Sequence, residues 1–236
     1  MYRKTTIIRF SIRNIAIFVV KSRLLMELLQ KIGAVPFDIN VLQSAYPGCK
    51  QITDKARRLE AEGRIIRLKK GLYVAGANGG ELSRELVANH LYGPSYVSMS
   101  WALRWYGLIP ERVDLIQSVT TKHSRDFSNA LGTFHYQNCA ASYFPIGITI
   151  KGEPDCRYLI ASPEKALCDY ICFNKVTLRF MKDVRLFLEE DIRFDTDAIP
   201  GLDLRIIEQC SALGRKSGSL SALLNYLKTQ QKQERI

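Results

Sequence analysis

Ile52, Ala56 and Leu59 recur at i, i+4 and i+7, a spacing that places all three on one stripe of a helix. The other faces carry Lys50, Gln51, Thr53, Asp54, Lys55, Arg57 and Arg58, so the predicted helix is apolar on one side and largely basic elsewhere. Gly63 ends it where a left-handed residue is wanted. The period then becomes extended. Ile65, Ile66 and Leu68, a basic turn at Lys69-Lys70-Gly71, and Leu72, Tyr73 and Val74 predict a β-hairpin. Upstream, Leu24, Leu25, Leu28, Leu29 and Ile32 give a first helix its apolar face, with Ser22 as cap and Gly33 closing it. Asp38 caps a short second helix bearing Ile39, Leu42 and Ala45, and Pro47-Gly48 makes the turn before the third. None of these elements can bury its apolar face alone, so residues 22–76 are expected to fold as one module. A polar, basic helix followed at once by a basic hairpin suits a winged helix-turn-helix, whose helix enters the major groove while the wing lies on the backbone.

Gly76 to Gly80 contains three glycines and an asparagine, and residues 77–80 are read as a linker. Residues 81–236 are expected to form a second, mixed α/β domain. A helix is predicted over Glu81 to Leu91, with Leu82, Leu86 and Leu91 inward, and a short one over Ser100 to Tyr106. Strands are predicted at Tyr96 to Ser98, Val113 to Thr120, Gly132 to Gln137, Ala141 to Phe144, Ile146 to Ile150 and Tyr158 to Ala161. Ser162-Pro163 starts a helix whose buried face is Leu167, Tyr170 and Ile171. Leu178 to Glu190, Leu204 to Cys210 and Leu220 to Lys228 follow as helices, with a polar tail from Thr229 that is expected to fray. The fold class is therefore α+β: an N-terminal winged helix-turn-helix, then a mixed domain with a small, largely antiparallel sheet.

Charge sharpens the division. The chain of 236 residues carries a formal charge of +11. Through Gly76 there are fifteen Lys and Arg against five Asp and Glu, and from Ala77 onward nineteen against eighteen. Nearly all the excess thus sits with the predicted reading head, as expected of a protein that neutralises phosphates with one domain. The six cysteines are scattered without a CxxC pair, which suits buried thiols in a reducing cytoplasm. Cys168 and Cys172 share a helix face but lack two further ligands, so no metal is expected. Residues 1–21 are an unexplained extension. Their apolar run, Ile15 to Val20, is too short to cross a bilayer, so no membrane partner is expected.

Near the start of the third helix, Gln51 and Thr53 are placed to touch base edges, while Arg57 and Arg58 suit either guanine or phosphate. An ordinary solvated face, with Asp54 paired to Arg58, is the plainer reading of the same residues. In the second domain the polar string around Thr120, Thr121, Lys122 and Arg125 is a candidate contact for phosphate or an acidic partner; a satisfied strand-end loop is the alternative. Catalytic signatures are missing. His90, His123 and His135 have no metal spacing, the serines lack a nucleophile elbow, and no lysine follows an acidic residue at the interval that nucleases of bacterial defence use. No catalytic residue and no cofactor are expected. A nuclease or nucleotide-processing enzyme guided by the winged helix, with chemistry near Thr120, Lys122 and Arg125, is the rival reading.

Three strings, LYGPSYVSMSWALRWYGLIPE (Leu91 to Glu111), SVTTKHSRDF (Ser118 to Phe127) and ASPEKALCDY (Ala161 to Tyr170), occur in order. Together with RIIRLKKGLYV they resemble the AbiEi family, antitoxins and transcriptional regulators of type IV toxin–antitoxin systems linked to abortive phage infection. The resemblance spans roughly Ser22 to Lys228. It implies a cytoplasmic autorepressor that binds operator repeats in double-stranded DNA through Lys50, Gln51, Thr53, Lys55, Arg57, Arg58, Lys69 and Lys70. It also implies neutralisation of a nucleotidyltransferase-like toxin without a stable complex.

Overall fold

The computed structural model describes residues 23–76 and 82–233. The extension over 1–21, the Ser22 cap and the linker over 77–80 lie outside the described residues. The chain divides into two compact units, one ending at Ser83 and the other starting at Arg84.

In the first unit, residues 23–32 form helix α1. Strand β1 (Phe37–Asp38), helices α2 (Ile39–Ala45) and α3 (Ile52–Ala61), and strands β2 (Ile65–Lys69) and β3 (Leu72–Ala75) follow. The three strands form an antiparallel sheet in the order β1-β3-β2. The Asp38 carboxylate accepts from the backbone N–H of Asn40 at 2.8 Å and of Val41 at 3.3 Å, capping α2 as its position suggests. Helix α3 ends on Gly63 at φ +68°, with Gly63 N–H donating to Glu60 and Arg64 N–H to Leu59. This paired closure needs the left-handed residue that glycine supplies without strain. Leu25, Leu29, Leu42, Ala56, Leu59 and Ile65 make a core in which each helix touches the sheet or another helix. Leu24, expected on the core face of α1, is 45 % exposed. The buried stripe runs through Leu25 and Leu29, and Leu24 lies about 100° round the helix from it.

The second unit opens with α4 (Arg84–Leu91), β4 (Ser95–Val97) and α5 (Met99–Trp105). Strands β5 (Ile116–Thr120), β6 (Arg125–Asn129), β7 (Gly132–Asn138), β8 (Ile148–Lys151) and β9 (Tyr158–Ala161) come next. Helices α6 (Pro163–Phe173), α7 (Met181–Leu186), α8 (Leu204–Leu213) and α9 (Ser217–Gln233) complete it, with a π-helical turn at Phe187–Asp191 and a 3-10 turn at Thr196–Gly201. The sheet has as many strands as the sequence predicts, with Arg125–Asn129 in place of Ala141 to Phe144, but it is mixed and not largely antiparallel. Its six strands run β6-β7-β5-β4-β9-β8, with β4/β9 and β5/β7 parallel and the other neighbours antiparallel.

Three local expectations fail for physical reasons. Ala141 to Phe144 is a turn, in which the N–H groups of Tyr143 and Phe144 both donate to Ala140 O at 3.1 Å; Tyr143 is aimed into the interior, not along a sheet. Arg125–Asn129, where no strand is predicted, is an edge strand. Phe127 is its one large apolar residue and packs against Tyr92 and Tyr136 at ring separations of 5.5 and 5.7 Å. An edge strand needs only one apolar anchor and tolerates charge elsewhere. Finally, the tail stays helical to Gln233. Gln231 Nε2 donates to the carbonyls of Ile199 and Leu202 at 2.9 and 3.0 Å and so ties the last turns of α9 down.

Candidate nucleic-acid interface

Packing decides which side of α3 reaches solvent. Ala56 and Leu59 are fully sequestered and Ile52 half-buried, so Thr53, Arg57 and Arg58 stand exposed. Lys50 and Gln51 are exposed too, but precede the helix, which begins at Ile52 with Gln51 at its N-cap. The pairing that α3 makes is Arg57 with Asp54 at 3.2 Å, one residue short of the Asp54–Arg58 pair expected from spacing. With side chains 76 % and 47 % exposed, that pair contributes little and leaves Arg57 open to exchange partners. Lys55 leans inward, its ammonium 4.9 Å from the centroid of the Tyr46 ring. It is the least available of the α3 cations.

Hairpin β2–β3 adds a second basic edge. Its tip is Lys70-Gly71, with Gly71 at φ +80°, and Lys69 and Lys70 are exposed. Arg67 is exposed as well, because an irregularity in register between Arg67 and Lys69 turns Ile65 and Leu68 inward together. Sequence reading passed over Arg67. Strict alternation from Ile65 would have pointed it inward, and only its charge signalled otherwise. Among the described residues no ion pair or ring contact engages Lys50, Arg58, Arg67 or Lys70.

The candidate contact in the second unit is largely committed to its own turn. Thr120 is buried; its hydroxyl donates to Pro94 O at 2.7 Å and accepts from Lys122 N–H at 3.2 Å. The Lys122 ammonium donates to Gly93 O and sits 5.3 Å from the Tyr92 ring centroid. Asn138 Nδ2 donates to the carbonyls of Thr121 and Lys122 at 3.2 and 2.8 Å. Arg125 is exposed, with its guanidinium 5.1 Å from the Phe127 ring. The four residues are neighbours in space, but the groups of Thr120 and Lys122 that would grip an anion already have protein partners.

A third constellation was not anticipated. Asp169 and Lys165 on α6 are fully buried, with Nζ 3.5 Å from Oδ1. The hydroxyls of Tyr96 and Ser98 donate to Asp169 Oδ2 at 3.0 and 2.6 Å, and that of Tyr143 to Oδ1 at 2.8 Å. Lys165 Nζ donates to Tyr143 O at 3.0 Å and lies against the face of the same ring. Burial raises the Asp169 carboxyl, opposed by the Lys165 charge and the three hydroxyls. Sealed from solvent, the cluster organises the unit and offers no access to a substrate. The available signal was Lys165 and Asp169 at i and i+4 inside an otherwise apolar helix.

Among the described residues no group of three His, Cys, Asp or Glu side chains is placed to hold a metal ion, and no helix is long and apolar enough to cross a membrane. No protein-family model and no curated protein sequence matches the chain.

Proposed function

We propose that this protein is a DNA-binding transcriptional repressor of its own operon, and an antitoxin of the AbiEi type. The observation that carries the reading is the exposed polar face of α3, Thr53, Arg57 and Arg58, with exposed Lys50 and Gln51 just ahead of it, in one compact unit with the Lys69-Lys70 hairpin. The order helix, strand, helix, helix, strand, strand, with β3 central in the sheet, is compatible with a winged helix-turn-helix and supports reading α3 as the recognition helix. On this reading Gln51 and Thr53 meet base edges at the start of α3. Arg57, Arg58, Lys69, Lys70 and Arg67 meet phosphates, and Lys55 swings off Tyr46 to join them. The site of action is the cytoplasm, where operator DNA lies.

The antitoxin half of the proposal rests on the three strings of the second unit and their resemblance to AbiEi proteins. Its target would be a nucleotidyltransferase-like toxin, met without a lasting complex, and no catalytic step is assigned to this chain. Nuclease footprinting with the full chain tests the DNA half. Protection of a repeated sequence upstream of its own gene is the expected result; uniform, unprotected cleavage of that region at saturating protein contradicts it.

A further inference from the structure

The chain contains two tryptophans, and α5 brings both to one cleft. Trp101 and Trp105 stand one turn apart, on the same side of the helix by i, i+4 spacing. With Glu85 and Arg104 they line a space of about 150 Å³. Trp105 is 41 % exposed, although the neighbouring Ala102 and Leu103 are fully buried. Both walls are fixed. The Trp101 indole N–H donates to Glu85 Oε1 at 3.0 Å, and Trp105 stands edge-on to Tyr106 with ring centroids 4.9 Å apart. Cations surround the rings: the Arg84 guanidinium lies 4.9 Å from the Trp101 ring and the Lys151 ammonium 5.7 Å from the Trp105 ring. Arg104 Nη1 donates to Glu111 O at 2.7 Å and to Pro110 O at 3.4 Å, which holds that guanidinium at the rim with no hydrogen bond from Nε or Nη2 among the described residues.

We propose that the cleft between Trp101 and Trp105 binds the base of a single unpaired nucleotide, with Arg104 meeting its phosphate. The volume is below the ~300–1,000 Å³ of sites that hold drug-sized ligands, so it admits one ring system and leaves the sugar and phosphate outside. Stacking on an indole is open to every base, and a guanidinium beside the stack is the usual companion of an unpaired nucleotide. Paired aromatic walls also suit quaternary ammonium groups. Here Glu85 is the one acidic lining residue and its Oε1 is held by the Trp101 indole, while Arg104 at the rim and Arg84 and Lys151 beside the rings outweigh it and favour an anion. The site is independent of α3 and of the duplex reading.

Because both tryptophans line the cleft, intrinsic tryptophan fluorescence of the full chain reports on it directly. Titration with adenosine and guanosine monophosphates, and with short single strands of DNA and RNA, should give saturable quenching. Trp105→Ala should weaken it by about 5- to 150-fold, the loss expected for one stacking partner. Arg104→Gln should weaken mononucleotides while leaving free adenosine unchanged. Preference for mononucleotides over end-blocked strands identifies a free nucleotide as the ligand, and the reverse preference identifies a strand; either supports the site. Quenching that never saturates, equal competition by ribose 5-phosphate, or preferential binding of tetramethylammonium overturns it. Trp105→Phe guards against misfolding: it should retain most of the binding that the Ala variant loses. Duplex affinity of these variants, unchanged here, separates this site from α3.

Discussion

Lys165 Nζ lies 3.5 Å from Asp169 Oδ1 across one turn of α6, and neither side chain reaches solvent. A buried pair of this kind contributes little beyond what two apolar residues would, yet breaking it strands a charge. The two partners are not equivalent. Without Lys165 the carboxylate keeps the hydroxyls of Tyr96, Ser98 and Tyr143; without Asp169 those three hydroxyls lose their acceptor, and the buried ammonium loses its counter-charge and keeps only Tyr143 O. Asp169→Ala should therefore destabilise the second unit by about 3–5 kcal/mol, and Lys165→Met by distinctly less. Urea midpoints of the two variants check the order, and a larger loss in Lys165→Met contradicts it.

The same carboxylate makes a pH prediction. Burial holds the Asp169 proton to higher pH than the ordinary 3.8 of an exposed aspartate. The folded state therefore binds this proton more tightly than the unfolded state. Its contribution is fully present below the unfolded pKa and is lost as pH rises from there through the raised folded value. The stability difference between wild type and Asp169→Asn should accordingly shift against wild type over that window and flatten above it. Paired urea titrations across a pH series give the sign, and a difference that grows in favour of wild type with rising pH refutes the assignment.

At the proposed DNA interface the exposed residues divide by chemistry. Gln51 and Thr53 carry no charge, so removing them should relax sequence choice and leave the salt response intact. Gln51→Ala is expected to reduce discrimination between operator and scrambled duplex by about 1–3 kcal/mol, as for one lost base contact. Competition binding with the two duplexes measures it; an equal loss on both sequences would move Gln51 to the phosphate class.

The antitoxin reading makes a separable prediction. Co-expression of the chain with a neighbouring nucleotidyltransferase-like gene should restore growth, while the two proteins elute apart on gel filtration. A stable co-eluting complex contradicts the proposed mode, and failure to restore growth removes the antitoxin role without touching DNA binding.

How far the sequence could be read follows from where the information lies. The first unit was legible because its period switches cleanly at Gly63, its cap at Asp38 is local, and its apolar stripe on α3 is only three residues wide. Arg67 was lost because a register irregularity is a property of two strands together. In the second unit Ser162-Pro163 announced α6, a local signal. Strand β6 did not announce itself, since an edge strand anchored by Phe127 alone carries too little alternation to register. Tyr143 and Asp169 stood out least, because their roles exist only once β4, α6 and the turn after β7 meet. Local chemistry could be read directly; partners distant along the chain could not.

The most direct test of the central proposal is the salt dependence of duplex binding by the full chain. Each phosphate neutralised contributes a slope of about −0.9 in log affinity against log salt. With Lys55, Arg57, Arg58, Arg67, Lys69 and Lys70 engaged, a slope between about −4 and −6 is predicted. Arg58→Ala with Lys70→Ala should shallow it by nearly two, while Lys122→Ala with Arg125→Ala leaves it unchanged. An affinity that stays flat as salt is raised, or a slope that depends on Lys122 and Arg125 and not on Arg58 and Lys70, would contradict the account.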